Sequence, residues 1–77
     1  MRVLLGIFQE REEIDDQLNA QGIKGKDICQ VGPFCSRTLA MEWMDFMEKR
    51  LQPSQTERMI VGHLYPNTWY GTALALE

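Results

Sequence analysis

A short pattern occurs twice in this 77-residue chain and constrains its fold more than any other feature. Residues 6–8 (Gly-Ile-Phe) precede Arg11, and residues 32–34 (Gly-Pro-Phe) precede Arg37, so both copies read Gly-x-Phe-x-x-Arg. Each copy follows a short apolar run and leads into a stretch with the apolar spacing of a helix. The pattern therefore predicts a strand-turn-helix unit that the chain uses twice.

The whole pattern predicts one small α+β domain over residues 1–77, in the order β-α-β-α-β-β. The predicted strands are 2–8, 28–34, 58–65 and 69–76, and the predicted helices are 9–21 and 37–51. Apolar side chains fall on both alternating faces of residues 2–8, which is typical of a central strand. We expect the last two strands to form a hairpin. We also expect a two-layer sandwich, with a ferredoxin-like sheet and both helices on one face.

The second helix carries the main apolar face of the predicted core. Ser36 is a favourable N-cap residue, and Leu39, Trp43 and Phe46 extend the apolar stripe that follows it. We expect Trp43 to be buried. Residues 24–27 (Lys-Gly-Lys-Asp) read as a turn before the second strand.

Composition limits the partners and the compartment. The net charge is −3 and the basic residues are scattered, whereas nucleic acids and anionic membranes need clustered Lys and Arg. The two cysteines, Cys29 and Cys35, are expected to be free thiols, because a straight strand holds their Cα atoms too far apart for a disulfide. We expect a cytoplasmic protein, since the apolar run at the N-terminus is too short to span a bilayer.

The second Gly-x-Phe-x-x-Arg turn is the better of two candidate anion or glycan sites. Free N–H groups point outward at a helix N-terminus, and Ser36 and Arg37 lie at this one, with Gln30 on the strand before it. The acidic residues Glu10, Glu12 and Glu13 would repel an anion at the first copy. The simpler interpretation is structural: Gly permits close packing and Phe closes the core.

Aromatic side chains flank a predicted turn near the C-terminus and form a second candidate surface. Tyr65, Trp69 and Tyr70 could stack on a sugar ring or a peptide, and strand alternation sends Trp69 and Tyr70 to opposite faces. One of the two therefore also fits the core. His63 precedes them, and we interpret it as a half-buried structural residue of a strand.

The residues also resemble the SPOR (sporulation-related repeat) domain. The resemblance spans roughly residues 2–64 and rests on Gly6-Ile7-Phe8 and on Val31-Gly32-Pro33-Phe34 with Ser and Arg close behind. It implies two half-repeats of strand, Gly-x-Phe turn and helix, and a domain that binds peptidoglycan. The chain departs from that pattern between the first helix and the second copy, where little room is left for a strand, and in its extra C-terminal strand.

These observations favour a non-enzymatic binding or adaptor domain that acts through an exposed sheet face and the aromatic turn. We expect no catalytic residues and no cofactor. We also expect no metal, because Cys-x5-Cys is not a zinc spacing. The partner would be a protein or a glycan, with the chain a monomer or a homodimer. A SPOR-like glycan-binding module is one alternative. A thiol-active protein that uses Cys35, with His63 as its base, is another.

Overall fold

The computed structural model describes residues 2–51, 55–63 and 67–77. It confirms the α+β class and the order β-α-β-α-β-β. The elements are β1 (Val3–Phe8), α1 (Arg11–Ala20), β2 (Gly25–Phe34), α2 (Arg37–Arg50), β3 (Thr56–Val61) and β4 (Trp69–Leu76). The bounds of β4 and the start of α2 are as predicted. Residues 64 and 65, at the end of the predicted third strand, lie outside the described residues.

The four strands form one mixed sheet in the order β2-β4-β1-β3. β3 runs parallel to β1, whereas β4 runs antiparallel to both of its neighbours, β1 and β2. β1 is therefore a central strand, as its apolar faces predict. The predicted hairpin of the last two strands is wrong, because β4 inserts between β1 and β2 and does not pair with β3.

The two helices lie on opposite faces of the sheet, so the expectation that both cover one face is wrong. Val3, Leu5 and Ile7 of β1 pack in a core cluster with α2, whereas Leu4 and Phe8 pack with α1. The physical reason is the direction of the crossovers. The connection through α1 runs from β1 toward the β2 edge, and the connection through α2 runs back from β2 to the β3 edge. Two crossovers of the same hand that run in opposite directions lie on opposite faces of the sheet.

Helix α2 rests on the sheet through fewer side chains than its apolar stripe predicts. Ser36 is the N-cap, as expected, and its Oγ accepts a hydrogen bond from the Leu39 amide at 3.2 Å. Trp43 is half-buried rather than buried, and it packs over Gly71, where a Cβ would come within 2.6 Å of the indole ring. Leu39 and Phe46 are 44% and 55% exposed, so α2 presents a partly apolar flank to solvent.

Helix α1 is held by a narrow apolar stripe, as its sequence predicts. Ile14 and Leu18 are its buried residues, and they pack with Leu4, Phe8 and Leu74. Close approach requires Gly6 on β1, because a Cβ at that position would lie 2.6 Å from the Ile14 Cδ1. The rest of α1 is left at the surface, and its acidic side chains lie there.

The start of β2 differs from the sequence prediction. The strand begins at Gly25, inside the predicted turn, and pairs with β4 from Leu76 onward. The pairing shifts between Asp27 and Cys29, which interrupts the two-residue alternation that sequence reading relies on. Cys29 and Cys35 are free cysteines, as expected. None of the described helices is long and apolar enough to cross a membrane.

Candidate functional site

The predicted site residues near the helix N-termini do not form one site. β1, β2 and β3 run in the same direction, so Ser36 and Arg37 after β2 and His63 after β3 lie at the same end of the sheet. They lie at opposite edges, however, because β4 and β1 separate β2 from β3. At about 4.8 Å per strand the two edges are roughly 14 Å apart. A ligand at one edge is therefore outside contact range of the other.

Ser36 and Arg37 have different roles at the start of α2. The Ser36 hydroxyl accepts the Leu39 amide hydrogen bond and its carbonyl accepts one from Ala40, so this residue is used to begin the helix. Arg37 is exposed in the first turn. The preceding residue, Cys35, is also exposed. Within the described residues no hydrogen bond joins the Cys35 thiol to His63.

His63 lies beyond β3 and is exposed, so its prediction as a half-buried strand residue is wrong. Its backbone is held by the Gln9 side chain, which replaces a neighbouring strand. The Gln9 Oε1 accepts from the His63 amide at 2.8 Å, and the Gln9 Nε2 donates to the His63 carbonyl at 3.0 Å. The imidazole itself extends to solvent at the end of the strand.

Gln30 belongs to a polar cluster that ties α1 to β2. Its Oε1 accepts a hydrogen bond from Arg11 Nη1 at 2.8 Å, while Arg11 also pairs with Asp27 and Asp15, each at 3.0 Å. Burial lowers the pKa of Arg11, but hydrogen bonds to Asp27 and Asp15 outweigh it, and the pKa is raised overall. Thr72 is fully buried below, donating to Asp27. The cluster is internally paired and borders a cleft of about 350 Å³.

The aromatic residues are divided between the core and the surface. Trp69 is 2% exposed and packs against α2, as the alternative core interpretation predicts for one member of the pair. Tyr70 points to the α1 face, is half-buried and stacks on Phe8 with ring centroids 5.9 Å apart. Tyr65 lies outside the described residues. Trp69 and Tyr70 therefore contribute mainly to packing.

A groove that the sequence prediction missed lies between α1 and the β3 edge. Its volume is about 580 Å³, and it is lined by Glu13, Asp16, Gln17 and Ala20 from the helix and by residues 60–63 from the strand and its end. Ile60 lies on the groove wall with its side chain directed to the α2 face, and it is 41% exposed. The predicted residue His63 is one of the lining residues. Only the strand order, which places β3 at an edge, reveals the groove.

The pairing of β3 is regular over its whole length, and its last two residues, Ile60 and Val61, line the groove. β3 pairs with β1 without interruption from Thr56 to Val61, and among the described residues it has no strand neighbour on its other side. An edge of this kind leaves alternate N–H and C=O groups directed outward, where a further strand can pair with them. The arrangement can accept an extended chain beside α1, with backbone hydrogen bonds on one side and helix side chains above it.

Comparisons with known proteins identify no relative of this chain: no family model, no curated protein and no solved structure matches it. The resemblance to the SPOR domain accordingly stays a prediction. Function is therefore inferred from the geometry of the groove and of the two sheet edges.

Proposed function

We propose that this protein is a non-enzymatic binding domain that takes an extended polypeptide segment as an additional strand on β3. The observation that supports this most directly is the uninterrupted edge of β3 beside the groove under α1. Strand addition of this type derives affinity from backbone hydrogen bonds and selectivity from side-chain contacts at alternate positions. A groove between an edge strand and a helix supplies both.

The proposed site differs from the sheet face and aromatic turn that the sequence predicts. Helices on opposite faces leave no face of β1 open, and Trp69 is in the core. The class of function, a binding or adaptor domain, is retained. Its surface moves to the edge of the sheet, where backbone groups rather than aromatic rings provide the contact.

The test is an amide chemical-shift titration of the isotope-labelled protein with a capped, neutral peptide of alternating valine and threonine. We expect shifts in the amides of β3 and in the groove wall of α1. The same peptide with alternate backbone nitrogens methylated is the control, since it keeps the side chains and loses donors for the added strand. Shifts confined to β2, or equal shifts with the methylated peptide, would contradict the proposal.

Thiol chemistry at Cys35 is a second candidate function, and the exposure of this residue next to the N-cap of α2 favours it. A thiol near a helix N-terminus can be activated because the helix dipole stabilises the thiolate. The rate of alkylation at neutral pH tests it, with the half-buried Cys29 as an internal reference. A rate at Cys35 equal to that of a free cysteine would eliminate this candidate.

Glycan binding of the SPOR type rests on sequence resemblance and stays a further alternative. Arg37 and Gln30 provide exposed polar groups at the β2 side of the sheet, away from the β3 groove. Co-sedimentation with peptidoglycan tests it directly. An Arg37→Ala variant that co-sediments as well as the unmodified protein would exclude a glycan site at the start of α2.

A further inference from the structure

The walls of the β3 groove have a defined charge. Glu13 and Asp16 line its helix side, and no Lys or Arg is among the lining residues. Within the described residues neither carboxylate takes part in an ion pair, whereas Asp15 on the same helix is paired with Arg11. The groove therefore presents two unpaired negative charges beside a strand edge that can pair with another chain.

The alternation of β3 determines which side chains of an added strand would meet these carboxylates. Met59 and Val61 point to the α1 face, and Ile60 points to the opposite face, because it pairs with Ile7 of the α2 cluster. Successive side chains of an added strand alternate in the same way. Every second residue would thus face α1, and the residue between two of these would lie beside Ile60.

The spacings on the two sides of the groove match. Side chains three positions apart on a helix, such as Glu13 and Asp16, have Cβ atoms about 5–6 Å apart. Side chains two positions apart on a strand repeat at about 6.6–6.8 Å. Two basic side chains at positions i and i+2 of an added strand can therefore each reach one carboxylate, without a bend in either element.

We infer that the occupant of this groove is an extended segment with the pattern basic-apolar-basic, a deduction that depends on the proposed function. The two basic side chains pair with Glu13 and Asp16 on the α1 face, and the apolar side chain between them packs beside Ile60. The pattern reads the same in both directions, so it holds for a parallel and for an antiparallel added strand.

The test compares three capped peptides of equal length by chemical-shift titration: lysine-valine-lysine within flanking threonines, the same peptide with glutamate for lysine, and a neutral serine version. A fourth peptide, with the two lysines adjacent, keeps the charge and removes the alternation. We expect the alternating lysine peptide to bind tightest, by about 2- to 5-fold for each carboxylate it engages. We expect the adjacent-lysine peptide to lose part of that gain.

Variants of the protein separate the groove charges from the charge of the helix. Glu13→Gln with Asp16→Asn removes both groove carboxylates, and Glu10→Gln with Glu12→Gln removes the same charge from exposed positions that do not line the groove. We expect the first pair to abolish the preference for lysine over serine and the second pair to leave most of it.

Each outcome has a distinct meaning. If the serine peptide shifts β3 amides as strongly as the lysine peptide, this inference fails and the proposed function stands. If no peptide shifts β3 amides, both fail. If the lysine preference survives Glu13→Gln with Asp16→Asn, the basic side chains bind elsewhere and the inference is overturned.

Discussion

The two edges of the sheet differ in a way that a binding function can use. The edge strand β2 has ten residues, two shifts in its pairing with β4, and Pro33, which has no N–H to donate. The edge strand β3 has six residues, uninterrupted pairing with β1 and no proline. Bulges and proline hinder the addition of another strand. β2 is therefore protected against a further strand, whereas β3 is available to one.

The helices extend this difference. Helix α2 lies over β1, β4 and β2, and it covers the face through Ala40 and Met44. Helix α1 lies beside β3 and leaves the groove open along that edge. Two arginines cross between helix and edge: Arg11 of α1 reaches β2, and Arg58 of β3 reaches α2. Four predictions, from the largest effect to the smallest, test this comparison.

The largest expected effect is the loss of stability when α1, which forms one wall of the groove, loses its buried anchor. Ile14→Ala removes a side chain that is 0% exposed and that anchors α1 to the sheet. We expect the free energy of unfolding to fall by about 2–5 kcal/mol, because a buried cavity is left behind. Urea denaturation measures it, with Ile28→Ala as the control, since Ile28 on β2 is 52% exposed.

If the Ile14 variant is too unstable to study, Ile14→Val gives the same test with an expected loss of about 0.5–1.5 kcal/mol. Equal losses for the Ile14 and Ile28 variants would mean that α1 is not packed as described, and that the groove lacks a fixed wall.

The next effect concerns the irregular edge. Gly32 on β2 has φ +127°, and a Cβ there would lie 2.8 Å from the Tyr70 ring and 3.1 Å from the Trp69 carbonyl oxygen. We expect Gly32→Ala to lower the free energy of unfolding by about 1–3 kcal/mol, because the backbone conformation is strained for an L residue. Thermal or urea unfolding measures the change.

Gly22→Ala is the matched control for Gly32→Ala. Gly22 has φ +68°, and a Cβ there would meet nothing within 4 Å, so its cost is that of the backbone alone. We expect the Gly32 variant to lose more stability than the Gly22 variant. The reverse order would show that the irregular pairing of β2 adapts easily and does not protect that edge.

Substitutions of exposed isoleucines on the two edges should have a smaller effect, which is measured as a change in peptide affinity. Ile60→Ser on β3 and Ile28→Ser on β2 remove exposed isoleucines from opposite edges. We expect Ile60→Ser to weaken binding of the alternating lysine peptide about 5- to 10-fold. This change in affinity corresponds to the loss of about 1–1.4 kcal/mol of apolar contact. We expect Ile28→Ser to leave it unchanged; the opposite ranking, by chemical-shift titration, would assign the peptide to β2.

The smallest effect concerns the arginines. Arg11→Met and Arg58→Met each remove a guanidinium paired with two carboxylates at the surface, and we expect each to cost about 0–1 kcal/mol of unfolding free energy. Added salt should reduce the difference from the unmodified protein, since exposed ion pairs are screened. A loss above about 2 kcal/mol that salt does not change would show that packing of the arginine stem dominates.

Much of the secondary structure could be predicted from the sequence, because its signals are local. The Ser36 hydroxyl marks the start of α2 in any tertiary context, and the mostly aromatic and apolar run of residues 69–76 predicts the bounds of β4. The start of β2 was missed because the shift near Asp27 breaks the alternation. The exposure of Phe46 was missed because the width of the sheet under α2 decides how much of an apolar stripe is covered.

The candidate site was less predictable than the fold. Gln30, Ser36 and His63 were selected one by one for their chemistry, and the structure uses them for an arginine contact, a helix cap and a backbone pair. The groove of Glu13 and Ile60 joins residues far apart in the chain. The only sign of this groove in the local sequence is the group of acidic residues at the start of α1. Such a group is also typical of any helix that faces solvent.

Local sequence patterns are sufficient to predict two helices and four strands in this order, a central β1, and the start of α2 at Ser36. These properties follow from side-chain periodicity and capping, which act over a few residues. Long-range contacts, in contrast, place β4 between β1 and β2, put the helices on opposite faces and leave β3 as the open edge. Strand partners and crossover directions are set by contacts between distant segments, and the same local patterns are compatible with several of them.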